Sequence, residues 1–176
     1  MDVHKLKQRL LSQQVQLLSE EQESLQKQLV KMAALFGAAT ALRVAWQAIP
    51  FLEPIIPATL LAGTLWGKNR GAAFGAGIMY ASNFAVFGGN GPWTLSQCIG
   101  MGMVGAIGSR LLVTGRKTAV IAAALATTVY DIVTNLFWVA IVGPAAIISA
   151  VPIYLLHLGT NVGLALTLPE IVKKLA

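Results

Sequence analysis

SNFAVFGGNGPWTLSQ, residues 82–97, interrupts an otherwise apolar part of the chain with a turn rich in glycine, hydrogen-bonding side chains and aromatic rings. The glycines of the run 88–91 can adopt backbone angles that are closed to other residues. Pro92 suits the first turn of a helix, because the N–H that it lacks would have no partner there. The stretch therefore predicts that one helix ends near residue 87 and that the next begins near residue 94.

The composition places the chain among membrane proteins. Of its 176 residues, 56% are hydrophobic and 11% are charged, whereas roughly 25% of the residues of a soluble domain are charged. Much of the charge lies in residues 1–31. A soluble domain of this length cannot cover so much apolar surface with so few charges. The sequence therefore predicts an all-α integral membrane protein, with an N-terminal extension at 1–31 and a membrane domain at 32–176.

Six apolar runs are candidate membrane spans. A spanning helix needs roughly 20 apolar residues, and breaks at glycine, proline and charged residues delimit the runs. They are residues 30–48, 55–67, 71–87, 94–113, 118–141 and 145–170. The second run is short, so it must tilt, pack inside the protein or span the bilayer incompletely. The prediction is a bundle of six transmembrane helices.

The lysines and arginines of the loops predict the orientation of this bundle. With the N-terminus inside, the cytoplasmic connections are GKNRG (67–71), SRLLVTGRKT (109–118) and the C-terminal tail, and each of them is basic. The opposite loops, IPFLEP, GGNGPW and VGP, contain no Lys or Arg. The positive-inside rule therefore places both termini in the cytoplasm and the GGNGPW turn outside.

Polar side chains within the apolar runs predict a pocket. Polar groups inside a bilayer are costly and usually face a cavity or a partner. In the predicted topology the outer half contains Arg43, Gln47, Asn83, Asn90, Trp93, Thr94, Gln97, Asn135 and Trp138. Asp131, His157 and Asn161 lie deeper. The set predicts a pocket that opens to the exterior and is lined by amides, aromatic rings and a few charges.

These side chains also have purely structural interpretations. Asn135 and Asn161 would then be hydrogen-bonding glue between helices, which is worth about 0.6 kcal/mol per bond. Arg43 and Asp131 would form a structural ion pair, and His157 would be a buried core histidine. The sequence leaves both interpretations open.

Four stretches of the membrane domain carry a family resemblance. They are AIPFLEPIIPATLLAGTLWGKNRGAAFGAG (48–77), SNFAVFGGNGPWTLSQCIGMGMVGAIG (82–108), YDIVTN (130–135) and HLGTNVGLALTLP (157–169). Together they resemble the substrate-binding S component of energy-coupling factor (ECF) transporters, which import vitamins and micronutrients into prokaryotes. The resemblance covers about residues 32–172, and GGNGPWT is its most specific element.

The resemblance implies a solute-binding subunit in the plasma membrane of a prokaryotic cell. Its implied partners are a membrane coupling subunit and two ATPase subunits. The candidate substrate-binding residues are Glu53, Asn83, Asn90, Trp93, Gln97, Asp131, Asn135, Trp138, His157 and Asn161. The candidate coupling surface is Ala34, Ala38, Ala41 and Ala45, whose spacing would let another helix approach closely; packing inside the bundle is the alternative. The GPWT subtype is similar to S components associated with cobalamin-like compounds.

Sequence motifs of catalysis and ATP binding are absent. The chain contains no GxxxxGKS/T, HExxH or GxSxG pattern, and its single cysteine, Cys98, excludes an internal disulfide. We therefore expect no enzyme activity, no cofactor and no nucleic-acid partner, with ATP hydrolysed by the partner subunits. The alternatives are a membrane scaffold or assembly protein without transport activity, and a stand-alone channel or carrier.

The N-terminal extension has an amphipathic pattern. Its apolar seam follows alternating four- and three-residue spacing and consists of Leu11, Val15, Leu18, Gln22, Leu25, Leu29 and Met32. Residues 19–22 match a capping box, which allows a break into two helices there. The pattern favours a helix on the cytoplasmic face of the membrane; a partner-binding coiled coil and a flexible extension are the alternatives.

Overall fold

The described part of the chain is built from α-helices joined by turns. The computed structural model describes the backbone of residues 3–49 and 52–175, and the side chains of these residues from 13 onward except residue 15. Its helices are α1 (Val3–Trp46), α2 (Ile55–Asn83), α3 (Thr94–Leu111), α4 (Arg116–Val142), α5 (Ala145–Ala165) and α6 (Leu168–Leu175). No strand occurs in these ranges, and the all-α prediction is confirmed for them.

Three helical segments are long and apolar enough to cross a membrane. They are Gln16–Trp46 of α1, the whole of α4 and the whole of α5. The outward faces of α4 and α5 carry large aliphatic side chains, such as Ile148, which is 79% exposed. Such apolar faces suit contact with lipid. The other helices of the described part fall short of the same length and apolarity, so the prediction of six spanning helices is not supported by helix length and composition.

Helix α2 turns back on itself at Gly67, which accounts for part of this difference. Gly67 has φ 82° and ψ 178°, a backbone conformation that favours glycine. A methyl group on Gly71 would collide with the backbone of Gly63, whereas eight residues of straight helix would separate the two by about 12 Å. The arms 55–66 and 68–83 therefore lie side by side. The predicted break between residues 67 and 71 is confirmed.

The first arm of α2 is the centre of the core. Every residue from Pro54 to Gly63 is buried. Of the three options for this short segment, the structure has it packed inside the protein. Its length, 55–66, corresponds to about 18 Å of helix, which is well short of the roughly 30 Å hydrocarbon core of a bilayer.

Glycines bring α2 and α3 into backbone contact. A methyl group on Gly105 of α3 would meet the backbone of Gly71, and one on Gly75 would meet that of Met101. Small residues allow this close approach, which favours packing between helices in a membrane. Helix α4 packs against both α3 and α5, and a hydrogen bond of 2.9 Å joins Thr128 Oγ1 to the Tyr154 hydroxyl across the α4–α5 interface.

The chain divides into two compact units, Met1–Leu35 and Phe36–Ala176. In the first unit, α1 is continuous through residues 19–22, so the break that the capping box allowed does not occur. The seam residues Leu18, Leu25 and Leu29 are exposed. The side chains of Leu11 and Val15 lie outside the described residues.

Candidate functional site

A cavity of about 340 Å³ is formed by α1, the segment between α1 and α2, the turn that follows α2, α4 and α5. Its polar lining consists of Arg43, Gln47, Glu53, Asp131 and His157, and its apolar walls include Phe87. The volume lies near the lower end of the range for small-molecule sites, which is about 300–1,000 Å³. Four ionisable groups therefore meet in one cavity within an apolar helix bundle.

Arg43 links three parts of the chain. Its Nε lies 2.8 Å from Glu53 Oε1, and its Nη1 donates to the hydroxyl of Ser82 and, at 2.8 Å, to Asn83 Oδ1. The Arg43 side chain is only 13% exposed. The structural ion pair of Arg43 is therefore made with Glu53, and the pairing with Asp131 that the sequence allowed does not occur.

Glu53 retains hydrogen-bonding capacity. Its Oε1 is in ion-pair contact with Arg43, yet it has no hydrogen-bond partner among the described residues, because the guanidinium N–H is not aligned with it. The charge of Glu53 is therefore balanced by Arg43, while Oε1 is a buried acceptor without a well-aligned donor.

Asn83 and Gln97 lie outside the cavity lining, next to Arg43. The Asn83 Oδ1 accepts from Arg43, and its Nδ2 donates to Gln97 Oε1 at 2.9 Å. Neither amide lines the cavity. Both were predicted to bind substrate, and the structure gives them a positioning role: they anchor the guanidinium of Arg43 to α2 and, through Gln97, to α3.

His157 lies between two carboxylates. Its Nδ1 is 3.2 Å from both Asp131 carboxylate oxygens, and its Nε2 is 3.8 Å from Glu53 Oε2. The ring of Tyr130 packs edge-on against the imidazole, with centroids 6.0 Å apart. Nδ1 therefore faces Asp131, while Nε2 faces Glu53 and has no hydrogen-bond partner among the described residues.

Asn161 lies one turn beyond His157 on α5 and is fully buried. Neither its amide oxygen nor its amide nitrogen has a partner among the described residues. A buried polar group without a hydrogen bond costs about 1–3 kcal/mol. Asn135 differs, because its Nδ2 donates to the backbone carbonyl of Asp131 on its own helix at 2.7 Å. Bonding between helices is thus not observed for either asparagine.

The glycine-rich turn lies next to the cavity. Gly88 and Gly89 have φ values of 91° and 58°, which confirms the expected use of left-handed backbone. The Phe87 N–H donates to Gln47 Oε1 at 3.0 Å, so the turn is joined to α1 at the cavity wall. Asn90, by contrast, donates to the carbonyl of Tyr80 at 3.3 Å and does not line the cavity.

Trp93 and Trp138 stack on each other. Their ring centroids are 6.0 Å apart and their planes differ by 20°. Gly91 lies against the Trp93 ring so closely that a methyl group there would collide with it. The two rings join the start of α3 to α4, and neither lines the cavity of Arg43 and His157. The two tryptophans predicted to bind substrate therefore form an aromatic pair beside the site.

The alanines of the predicted coupling surface are on the outside. Ala34, Ala38, Ala41 and Ala45 are all exposed, whereas Ala39 of the same helix is buried. The alternative that they pack inside the bundle therefore does not apply. They form a surface of small side chains along α1.

Ser82 and Tyr130 are site residues that sequence reasoning missed. Ser82 precedes Asn83, and Tyr130 precedes Asp131, so proximity to candidate residues was the available indication. A serine and a tyrosine in apolar helices follow no pattern that points to a site. Only the packing of α1 on α2 and of α4 on α5 gives them their roles.

No known protein family matches the chain, and comparisons with curated proteins and with solved structures found no similar protein. Within the described residues, no group of three or more His, Cys, Asp or Glu side chains is placed to hold a metal ion. The resemblance to ECF S components therefore stays a prediction.

Proposed function

We propose that the protein is the solute-binding membrane subunit of an ECF-type importer in the plasma membrane of a prokaryotic cell. The observation that carries the proposal is the cavity of Arg43, Glu53, Asp131 and His157 within an apolar helical protein. Ionisable groups in a membrane protein are costly, and they typically mark a solute or ion pathway. In this proposal α1, both arms of α2, α3, α4 and α5 are the six membrane-embedded segments, and both termini are cytoplasmic.

The chemistry of the cavity defines the class of solute. Two carboxylates, those of Glu53 and Asp131, line the cavity beside one guanidinium, that of Arg43, and carboxylate oxygens favour a solute that carries several N–H donors. Glu53 and His157 supply polar groups to the lining, and Phe87 supplies an aromatic wall. A cavity of about 340 Å³ lies in the range of small-molecule sites and suits a vitamin-sized solute.

The transport cycle divides the work between subunits. This chain captures the solute from outside, and the two ATPase subunits hydrolyse ATP. The membrane coupling subunit packs on the exposed surface of Ala34, Ala38, Ala41 and Ala45, where small side chains permit close helix approach. Reorientation of the bundle against the coupling subunit then delivers the solute to the cytoplasm.

The test is to identify what the purified protein carries. Protein is purified in mild detergent, denatured, and the released small molecules are identified by mass spectrometry. The variants are Glu53→Gln in the cavity and Glu170→Gln, a control at an exposed carboxylate of α6. We expect one solute from the wild type and from Glu170→Gln, and at least about tenfold less from Glu53→Gln.

Three results would count against the proposal. Equal amounts of solute from both variants would show that the solute does not bind in the cavity. A wild-type protein that carries no solute and co-purifies with no ATPase pair would favour the scaffold or assembly function. Solute binding together with transport in vesicles that lack ATPases would instead identify a stand-alone carrier.

A further inference from the structure

A second concave site lies between α3 and α4, away from the solute cavity. It is an open groove of about 460 Å³. Its walls are aliphatic and include Met103, Ile107 and Leu125, while Lys68 and Arg110 are the two basic residues that line it. None of its lining residues lines the cavity of Arg43 and His157.

The two cations lie at one end of this groove. Arg110 is in the last turn of α3, and Met103 is two turns earlier, about 10 Å along the helix axis. Lys68 directly follows the turn at Gly67, where α2 reverses. The groove therefore has a cationic end, and an apolar channel leads away from it.

These cations have no acidic partner among the described residues. Lys68 and Arg110 are both exposed, and neither takes part in an ion pair within the part of the chain that the structure describes. An amphipathic anion would complement the site in both respects, with its charge at the cationic end and its chain in the apolar channel.

We propose that the groove between α3 and α4 binds an anionic phospholipid, with the phosphate on Lys68 and Arg110 and an acyl chain along Met103, Ile107 and Leu125. A small free phosphate would leave the apolar walls uncovered, whereas a phospholipid covers both parts of the groove. In the predicted topology the cationic end faces the cytoplasm. Basic groups between helices on that side are suited to anionic headgroups, since the cytoplasmic leaflet carries negative lipids.

The first turn of α4 supplies a matched control. Arg116 and Lys117 are exposed and basic, and the positive-inside rule places them on the same side of the membrane. They do not line the groove. Replacing them removes as much charge as replacing Lys68 and Arg110, but it leaves the proposed site intact.

The experiment is native mass spectrometry of delipidated protein mixed with equal amounts of palmitoyl-oleoyl phosphatidylglycerol and phosphatidylcholine. We expect retention of phosphatidylglycerol in preference to phosphatidylcholine. The double variant Lys68→Gln, Arg110→Gln should retain at least about tenfold less phosphatidylglycerol, and the double variant Arg116→Gln, Lys117→Gln should match the wild type. Circular dichroism checks that each variant keeps its helical content.

Each other outcome overturns the proposal. Equal loss in both double variants would indicate diffuse electrostatic attraction, and equal retention of the two lipids would exclude headgroup recognition. Release of the lipid by millimolar inorganic phosphate would show that the apolar channel contributes nothing. A third variant, Ala106→Phe, narrows the groove and keeps both cations, so unchanged lipid retention in that variant would place the acyl chain elsewhere. The amount of small solute that co-purifies should be the same in every variant, so this test can fail without affecting the proposed function.

Discussion

Replacing Arg43 by methionine should destabilise the protein strongly. Methionine keeps an unbranched apolar chain but removes the guanidinium, which pairs with Glu53 at 2.8 Å and donates to Ser82 and Asn83. Both members of the ion pair are largely shielded, with side chains 13% and 19% exposed. Removing one member of a buried ion pair costs about 3–5 kcal/mol, because the other charge is left uncompensated. We expect Arg43→Met to lower the free energy of unfolding by about that amount.

The partner variant should cost less. In Glu53→Gln, Arg43 keeps its acceptors on Ser82 and Asn83, so the expected loss is about 1–3 kcal/mol, the cost of an imperfectly paired buried group. In the double variant both charges of the Arg43–Glu53 pair are absent, so neither is left unpaired. Its loss should therefore fall short of the sum of the single losses by about 1–3 kcal/mol.

Reversible unfolding by SDS in mixed micelles, followed by circular dichroism, gives the free energies for this cycle. Arg116→Met is the control, because this exposed arginine should change stability by no more than about 0.5 kcal/mol. The reasoning fails if Arg43→Met behaves like Arg116→Met. It also fails if the losses of Arg43→Met and Glu53→Gln add to within about 0.5 kcal/mol, which is the behaviour of independent sites.

Three further predictions concern packing, topology and coupling. Gly105→Ala should destabilise the protein by about 1–3 kcal/mol, because the added methyl group meets the backbone of α2. The control Gly159→Ala in α5, which has open space around it, should be neutral or slightly stabilising in the same unfolding assay. Similar effects of the two substitutions would contradict the backbone contact. In a background without the native cysteine, a cysteine at Asn90 should react with an impermeant maleimide on intact cells and one at Lys117 should not, and the reverse would invert the topology. Ala38→Leu should abolish uptake in cells and leave solute binding by the isolated protein intact. Equal loss of uptake and binding would show that the alanines are not the coupling surface.

Several helix starts were predictable because local residues define them, whereas the end of α2 was predicted near residue 87 and lies at Asn83. The predicted starts at residues 55, 94 and 145 coincide with the starts of α2, α3 and α5. Proline precedes or opens each of these helices, and glycine supplies the turns at Gly67, Gly88 and Gly143, all with positive φ. The end of α5 was placed too late, at residue 170, because the chain stays apolar past Ala165 while its backbone already turns at residues 166–167.

The residues of the site were predictable by type, and their partners were not. Glu53, Asp131 and His157 stood out because ionisable groups are rare in such apolar segments. Which carboxylate pairs with Arg43 depends on how the buried first arm of α2 packs, because this packing sets the position of Glu53. No local sequence pattern predicts that packing. The same limit applies to Trp93: its position after a glycine turn suggested contact with a solute, whereas the stacking on Trp138 depends on how α4 packs beside α3.

The short first arm of α2 explains why the cavity lies where it does. In the proposed topology this arm begins at Ile55, two residues after Glu53, and ends at the cytoplasmic turn of Gly67. Its length of about 18 Å covers little more than half of a hydrocarbon core of roughly 30 Å, so Glu53 lies below the outer boundary, where an unpaired carboxylate would be costly. The glycines of α2 and α3 keep the arm at the centre of the bundle, and the longer helices α4 and α5 extend past its start. The space above a short central helix is therefore enclosed by longer ones, and the groups that face it, Arg43 and His157, supply the pairing that a carboxylate at that depth requires.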